Sequence, residues 1–261
     1  MLKDKIVLVT GSAQGIGLGI ARAILESGGR VAISDLDQAM LIEVRDSLST
    51  ELKLAKDQIF ATVIDVTDEN SITEALMATQ DHFGALDGLV NNAGVIRMGA
   101  DMDASADDWR LQMNVNVIGT HNCCQAFAKQ LIGRHQAGAI VNIASNAGKV
   151  GYPNMAGYNA SKAAVINLTR TLSAELSEHN INVNAICPGG VYTPMLLDVA
   201  RVVGERIGED PAELVKTMVP AQLGRHIETI EIGRVAAFLL SDSATIIRGQ
   251  SINADGGDTP Y

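Results

Sequence analysis

The chain has 261 residues, 47% of them hydrophobic, and a formal charge of −10, which suits one large α/β domain better than two small ones. The acidic balance argues against nucleic acid or an anionic membrane as partner, and no apolar stretch approaches the ~18 residues that would cross a bilayer. Five scattered histidines, without metal-ligand spacing, argue against a metal site.

Ile6–Thr10 is a short apolar run leading directly into Gly11-Ser-Ala-Gln-Gly15-Ile-Gly17 and a helical stretch that stops at Gly28-Gly29. The pattern predicts strand, glycine turn and helix rather than a signal peptide. The spacing G-x-x-x-G-x-G differs from the common G-x-G-x-x-G, but it allows the same close approach of backbone to a pyrophosphate at a helix N-terminus. A tight turn alone would also account for it. Arg30–Ser34 predicts the second strand, ending at Asp35. An acid there would accept hydrogen bonds from an adenosine ribose and repel a 2′-phosphate. Gln14 supplies no positive charge for such a phosphate, so the reading favours NAD over NADP. Asp35 would equally serve as a cap for the helix beginning near Asp37.

Strands three and four are predicted over Gln58–Ile64 and Leu86–Val90, with a helix over residues 68–83 between them. Asp65-Val66 and Asn91-Asn92-Ala93-Gly94 then fall at the carboxyl edge of a parallel sheet, where such folds bind ligands. Asp65 also suits a helix cap near Thr67. Ser105–Gly133 reads as helical, with Trp109, Met113, Val117 and Phe127 among its apolar positions. Asn114 and Asn116 interrupt it, and asparagine is a poor helix-interior residue. They predict a bend, a water site or a polar task.

A strand over Ala139–Ala144 delivers Ser145 at its end. Tyr158 and Lys162 follow, four residues apart and therefore on one helical face. A phenol titrates near 10, and an adjacent ammonium favours its ionised, basic form. Alone, Tyr-x-x-x-Lys occurs by chance on many helices. The helix continues to residue 178, apolar around much of its girth, which predicts burial in the fold or under another subunit. Ile181–Ile186 predicts the sixth strand and Cys187-Pro188-Gly189-Gly190 a rigid turn beside the cofactor groove. Met195–Arg225 is helical without a strand, a candidate lid. A helix over Ile230–Leu240 and a strand over Gln250–Asn253 close the chain. Cys123, Cys124 and Cys187 read as reduced, buried thiols of a cytoplasmic protein. The alternation of strand and helix predicts a doubly wound parallel sheet of about seven strands.

Together these residues resemble the short-chain dehydrogenase/reductase family over nearly the whole chain. The resemblance rests on Thr10-Gly-x-x-x-Gly-x-Gly17, Asp65-Val66, Asn91-Asn-Ala-Gly94, Asn116, Ser145, Tyr158-x-x-x-Lys162, Pro188-Gly189, Thr193 and Asn253-Ala-Asp-Gly-Gly257. It implies a single Rossmann-type domain over residues 1–261, with a lid at about 193–225. Tyr158 is then the acid/base and Ser145 holds the substrate oxygen. Lys162 lowers the tyrosine pKa and binds the nicotinamide ribose, and Asn116 binds a water linking Lys162 to solvent. Gly11, Gln14, Gly15, Ile16 and Gly17 line the pyrophosphate and ribose, and Asp35 and Leu36 bind the adenosine ribose. Asp65 and Val66 meet the adenine, Asn92, Ala93 and Gly94 the middle of the cofactor, and Pro188, Gly189, Val191 and Thr193 its carboxamide side. The family also implies a homotetramer.

Asn146, directly after the serine, and Tyr152, Asn154 and Tyr192 are polar groups expected to face the substrate, under an apolar cover that begins at Met195. That mixture predicts an NAD-dependent dehydrogenase of a small polyol or hydroxy-ketone. The asparagines would alternatively satisfy only loop backbone. A 3-oxoacyl-carrier-protein reductase using NADPH is the competing expectation within the fold. A binding protein that has lost its chemistry is disfavoured, because Ser145, Tyr158 and Lys162 are all present.

Overall fold

The computed structural model describes residues 1–54 and 57–261. Seven parallel strands form one sheet in the order β3-β2-β1-β4-β5-β6-β7. They are β1 (Ile6–Thr10), β2 (Arg30–Asp35), β3 (Ile59–Val63), β4 (Gly88–Asn91), β5 (Gly138–Ile143), β6 (Ile181–Pro188) and β7 (Ser251–Ala254). Parallel pairing requires crossovers. Those described are helical: α1 (Gly15–Glu26), α2 (Gln38–Glu51), α3 (Glu69–Phe83), α4 (Ala106–Met113), α5 (Thr120–Gly133), α6 (Ala156–Glu175), α7 (Pro194–Ile207), α8 (Pro211–Thr217) and α9 (Thr229–Leu239).

Side chains alternate across a strand, so β1 feeds two cores. Val7 and Val9 join Ile20 and Ile24 of α1 and Ile232 and Ala236 of α9 on one face. Ile6 and Leu8 join Leu76 of α3 and Phe127 of α5 on the other. With both faces covered, β1 and β6 are buried at every position. That is why β1 reads as an apolar run, while Asn182 and Asn184 of β6 are buried with their amides bonded to the Ala244 and Ile247 carbonyls.

Three expectations change. The sixth strand extends through Cys187 and Pro188, paired with Asn253 and Ala254 of β7, so the rigid turn begins at Gly189. Ser145 lies two residues beyond β5 and opens a 3-10 turn over Asn146–Gly148. The long helix of α6 is not apolar around its girth. Its buried side includes Ser161, Lys162, Thr169 and Ser173, and its outer side carries Ala160, Ala163, Asn167, Arg170, Thr171 and Ala174. The interruption expected at Asn114 and Asn116 is a π-helical stretch, Asn114–Gly119, joining α4 to α5.

Candidate active site

The strand order reverses between β1 and β4, so their carboxyl ends flank the crevice where a doubly wound sheet takes its ligand. Thr10 Oγ1 accepts the backbone N–H groups of Asn92 and Ala93 at 3.0 and 3.1 Å. The Asn92 amide donates to the carbonyls of Thr10 (3.0 Å) and Gly11 (2.6 Å), so this side chain locks the crevice floor. Gly11 holds φ +61°, and a Cβ on Gly17 would fall 2.3 Å from the Gly11 carbonyl and 2.5 Å from Asn92 Nδ2. No larger residue fits there. Asp37 caps α2 and Asp68 caps α3, whereas Gln14 makes no side-chain cap on α1. Uncapped N–H groups over a glycine floor fit a pyrophosphate.

Asp35 ends β2 with Oδ2 accepting the Ala13 N–H at 3.2 Å and Oδ1 accepting the Leu36 N–H at 2.8 Å. Its carboxylate therefore lies over the glycine loop, and the cap of α2 is Asp37, which accepts from Ala39 and Met40. The alternative of Asp35 as a cap is overturned. A shallow depression beside it is lined by exposed Leu36 with Asp37, Gln38, Ala39 and Ile42, and no cation is among them. Asp65 is likewise no helix cap. Its Oδ1 accepts from Thr67 N and Oγ1 in a local turn, and Asp68 caps α3 instead. Val66 is buried in the second core against Gly119, which leaves only its backbone to a ligand. Across the crevice, Thr193 caps α7 and brings its methyl near Gly15. Val191 is buried and bridged to Ile227. The turn after β6 thus faces the glycine loop, with Gly189 pressed on Asp255.

The expected catalytic group assembles at the ends of β4 and β5. Lys162, 4% exposed, donates from Nζ to the Ile143 carbonyl at 2.8 Å. Its Nζ lies 5.6 Å from the centre of the Tyr158 ring. Burial pulls the ammonium down to about 8. Burial also pushes the Tyr158 phenol up to about 12, opposed by a hydrogen bond with the Ser145 side chain. In the protein alone, loss of hydration dominates the tyrosine, and the lysine donates to a carbonyl. Ser145 Oγ also accepts the Ala147 N–H at 3.1 Å, and the Ser145 backbone N–H bonds the Cys187 sulfur.

Asn116, buried in the π-helical stretch, accepts from Val95 N at 2.8 Å and donates to Val95 O at 2.9 Å and Ser161 Oγ at 3.0 Å. π-Helical turns recur at functional sites, and this one directs the amide into the interior. The Asn116 amide braces the loop after β4 against α6. A Cβ on Gly94 would sit 3.3 Å from Asn116 Oδ1 and 3.5 Å from Lys162 Nζ, so these three groups are neighbours.

The expected substrate residues are differently employed. Asn146, buried, donates to the Tyr152 hydroxyl at 2.9 Å. Asn154, in a left-handed turn with φ 64°, accepts from Arg206 of α7 and ties the loop before Tyr158 to that helix. Tyr192 is half exposed and its ring lies 5.3 Å from that of His226. Met195 is also partly exposed. The loop-backbone alternative does not describe Asn146 and Asn154, since their amides bond side chains. The partners that sequence reasoning missed are Ser161, Val95 and the Ile143 carbonyl. A backbone carbonyl has no sequence signature, and Ser161 is marked only by lying one turn beyond Tyr158.

A family model for "short chain dehydrogenase" matches residues 5–202. The chain belongs to the short-chain dehydrogenase family. It is 39% identical over 261 residues to 2-(S)-hydroxypropyl-CoM dehydrogenase 3 of Xanthobacter autotrophicus, covering 99% of this chain and 98% of the relative. It is 35% identical over 256 residues to a 3-oxoacyl-[acyl-carrier-protein] reductase of Thermotoga maritima, with 98% of each covered. An actinorhodin polyketide ketoreductase variant with NADPH superposes with a TM-score of 0.92 at 31% identity, covering 99% of this chain and 98% of that one. As a short-chain dehydrogenase the protein is an oxidoreductase acting on an alcohol or ketone, with a nicotinamide cofactor and a small-molecule substrate. Among the described residues no helix is long and apolar enough to cross a membrane.

Proposed function

We propose that the chain is an NAD-dependent dehydrogenase of a small secondary alcohol, working reversibly on the matching ketone in the cytoplasm. The observation that carries the cofactor choice is Asp35, whose carboxylate lies over the glycine loop beside a depression without a cation. A ribose 2′-hydroxyl would donate to it, and a 2′-phosphate would meet negative charge without compensation. The glycine floor and α1 would hold the pyrophosphate, and Lys162 and the turn at Gly189–Thr193 the nicotinamide end. When bound, that group supplies the hydride acceptor or donor. Tyr158 exchanges the proton of the substrate oxygen at its hydroxyl. Ser145, within hydrogen-bond reach of Tyr158, fixes that oxygen. Lys162, poised near 8, stands close enough to stabilise the phenolate when charged, and Asn116 braces the loop against it.

A polyol or hydroxy-ketone remains our substrate class, with Tyr192 its most open polar partner. Asn146, Tyr152 and Asn154 would reach a second hydroxyl only by exchanging their present partners. The Thermotoga relative and the NADPH-bound ketoreductase favour a second reading, a carrier-protein or polyketide type of ketoreduction using NADPH. Titration with NADH and NADPH separates the two. The first reading requires tighter NADH binding, and a clear NADPH preference overturns it. We also propose a homotetramer, supported by the small outward residues of α6, which allow another helix close approach. Light scattering should give four times the 27.5 kDa of one chain, and a monomeric mass at micromolar concentration would refute it.

A further inference from the structure

Asn146 and Tyr152 have polar groups that fit each other too well for spare substrate contacts. Asn146 Nδ2 donates to the Tyr152 hydroxyl at 2.9 Å, which fixes the amide with Oδ1 on the opposite side. That Oδ1 is 3.4 Å from Ser145 Oγ. Ser145 has one proton and two lone pairs. One lone pair takes the Ala147 N–H at 3.1 Å, so the proton has two competing acceptors, Asn146 Oδ1 and the Tyr158 oxygen. Asn146 is buried and Tyr152 partly exposed, so the pair reaches from the rim of the site to its reacting end.

We propose that Tyr152 and Asn146 form a positioning arm that sets the direction of the Ser145 hydroxyl. With Tyr152 holding the amide, Oδ1 competes for the serine proton and weakens the Ser145 hydrogen bond that opposes the effect of burial on Tyr158. A substrate oxygen entering between Ser145 and Tyr158 then competes with Asn146 for the same proton. The arm thus adds to burial in favouring the protonated tyrosine until the site is filled. Neither arm residue touches the reacting atoms in this account. This inference rests on the dehydrogenase reading only for its catalytic consequence.

The ionisable groups around the arm come from several elements. Lys162 stands under Tyr158 on α6. Cys187, at the end of β6, has Lys149, Lys162 and Asp255 within electrostatic reach. Burial, Asp258 and Asp255 hold the Tyr152 phenol above its ordinary value, against the Asn146 hydrogen bond. All except Tyr152 itself persist in the isosteric variant Tyr152→Phe, which frees Asn146 to turn its N–H groups toward Ser145. Losing the competing acceptor should then lower the Tyr158 pKa by about half a unit.

The test is an ultraviolet phenolate titration of the full chain. The difference between wild type and Tyr158→Phe isolates Tyr158, and that between Tyr152→Phe and the Tyr152→Phe/Tyr158→Phe double variant isolates it without the arm. A downward shift of about half a unit supports the arm, and an unchanged titration overturns it. Turnover on the same variants separates the claims. A shift in a protein without dehydrogenase activity removes the proposed function and keeps the arm. Activity whose pH profile is the same in Tyr152→Phe and wild type removes the arm and keeps the function.

Discussion

Replacing Lys162 by methionine should stabilise the empty protein at neutral pH while removing its activity. The structure buries this ammonium with one hydrogen bond, to the Ile143 carbonyl, and its pKa falls from 10.5 to about 8. At pH 7 that difference corresponds to about 3 kcal/mol of destabilisation relative to a hydrated lysine. Methionine is of similar length and suits an apolar surround, but it leaves the carbonyl without its donor, which costs about 1–2 kcal/mol. The net gain is about 1–2 kcal/mol. For 261 residues, at ~2.1 cal/mol/K per residue, that raises Tm by about 2–4 °C.

The sign with pH provides the sharper check. The folded pKa lies below the unfolded one, so between about 8 and 10.5 the unfolded wild type binds more protons and its stability rises with pH. The advantage of Lys162→Met should therefore be full below pH 8, shrink as the pH rises and reverse by about 10.5, where only the lost carbonyl hydrogen bond remains. Tyr158 is common to both proteins and largely cancels in the difference. Thermal unfolding of the two proteins across pH 7 to 10.5 measures it. A variant no more stable at pH 7, or a gain that does not change with pH, would refute the electrostatic reasoning.

Two further outcomes follow from the same geometry. Asp35→Ser removes the carboxylate from the glycine loop, so kcat/KM with NAD should fall about tenfold or more while that with NADP rises. Parallel steady-state kinetics with both cofactors check this, and unchanged NAD kinetics would detach Asp35 from the ribose. The Asp35→Ser protein should keep the assembly state of the wild type in light scattering. A change there would mean that the substitution acts through folding and not through the cofactor.

Much of this architecture was legible because β1, β2 and β4 are short apolar runs, each ending in the polar or glycine residues that the crevice uses. The glycine loop and Asp35 could be placed from spacing alone. Asp35 and Asp65 each lie within a few residues of a second acid, and only the chain path decides that Asp37 and Asp68 take the capping. Asn116 was marked by its poor fit to a helix, but the π-helical stretch and the Ser161 partner depend on how α4 meets α6. The pairing of Asn146 with Tyr152 depends on the path of a loop with no periodicity. The net effect of burial on Tyr158 was not legible for a different reason. Four-residue spacing brings an ammonium near a phenol, whereas the burial that raises the phenol cannot be counted from spacing.

The most direct measurement of the central claim is NADH formation at pH about 9.5 from NAD and a panel of polyols, diols and simple secondary alcohols, with wild type beside Tyr158→Phe. High pH favours both the oxidation direction and the phenolate. The account predicts selective turnover by wild type and its loss in Tyr158→Phe, with NADH binding by the variant nearly intact. Substantial turnover surviving in Tyr158→Phe, or activity confined to ketone reduction with NADPH, would contradict it.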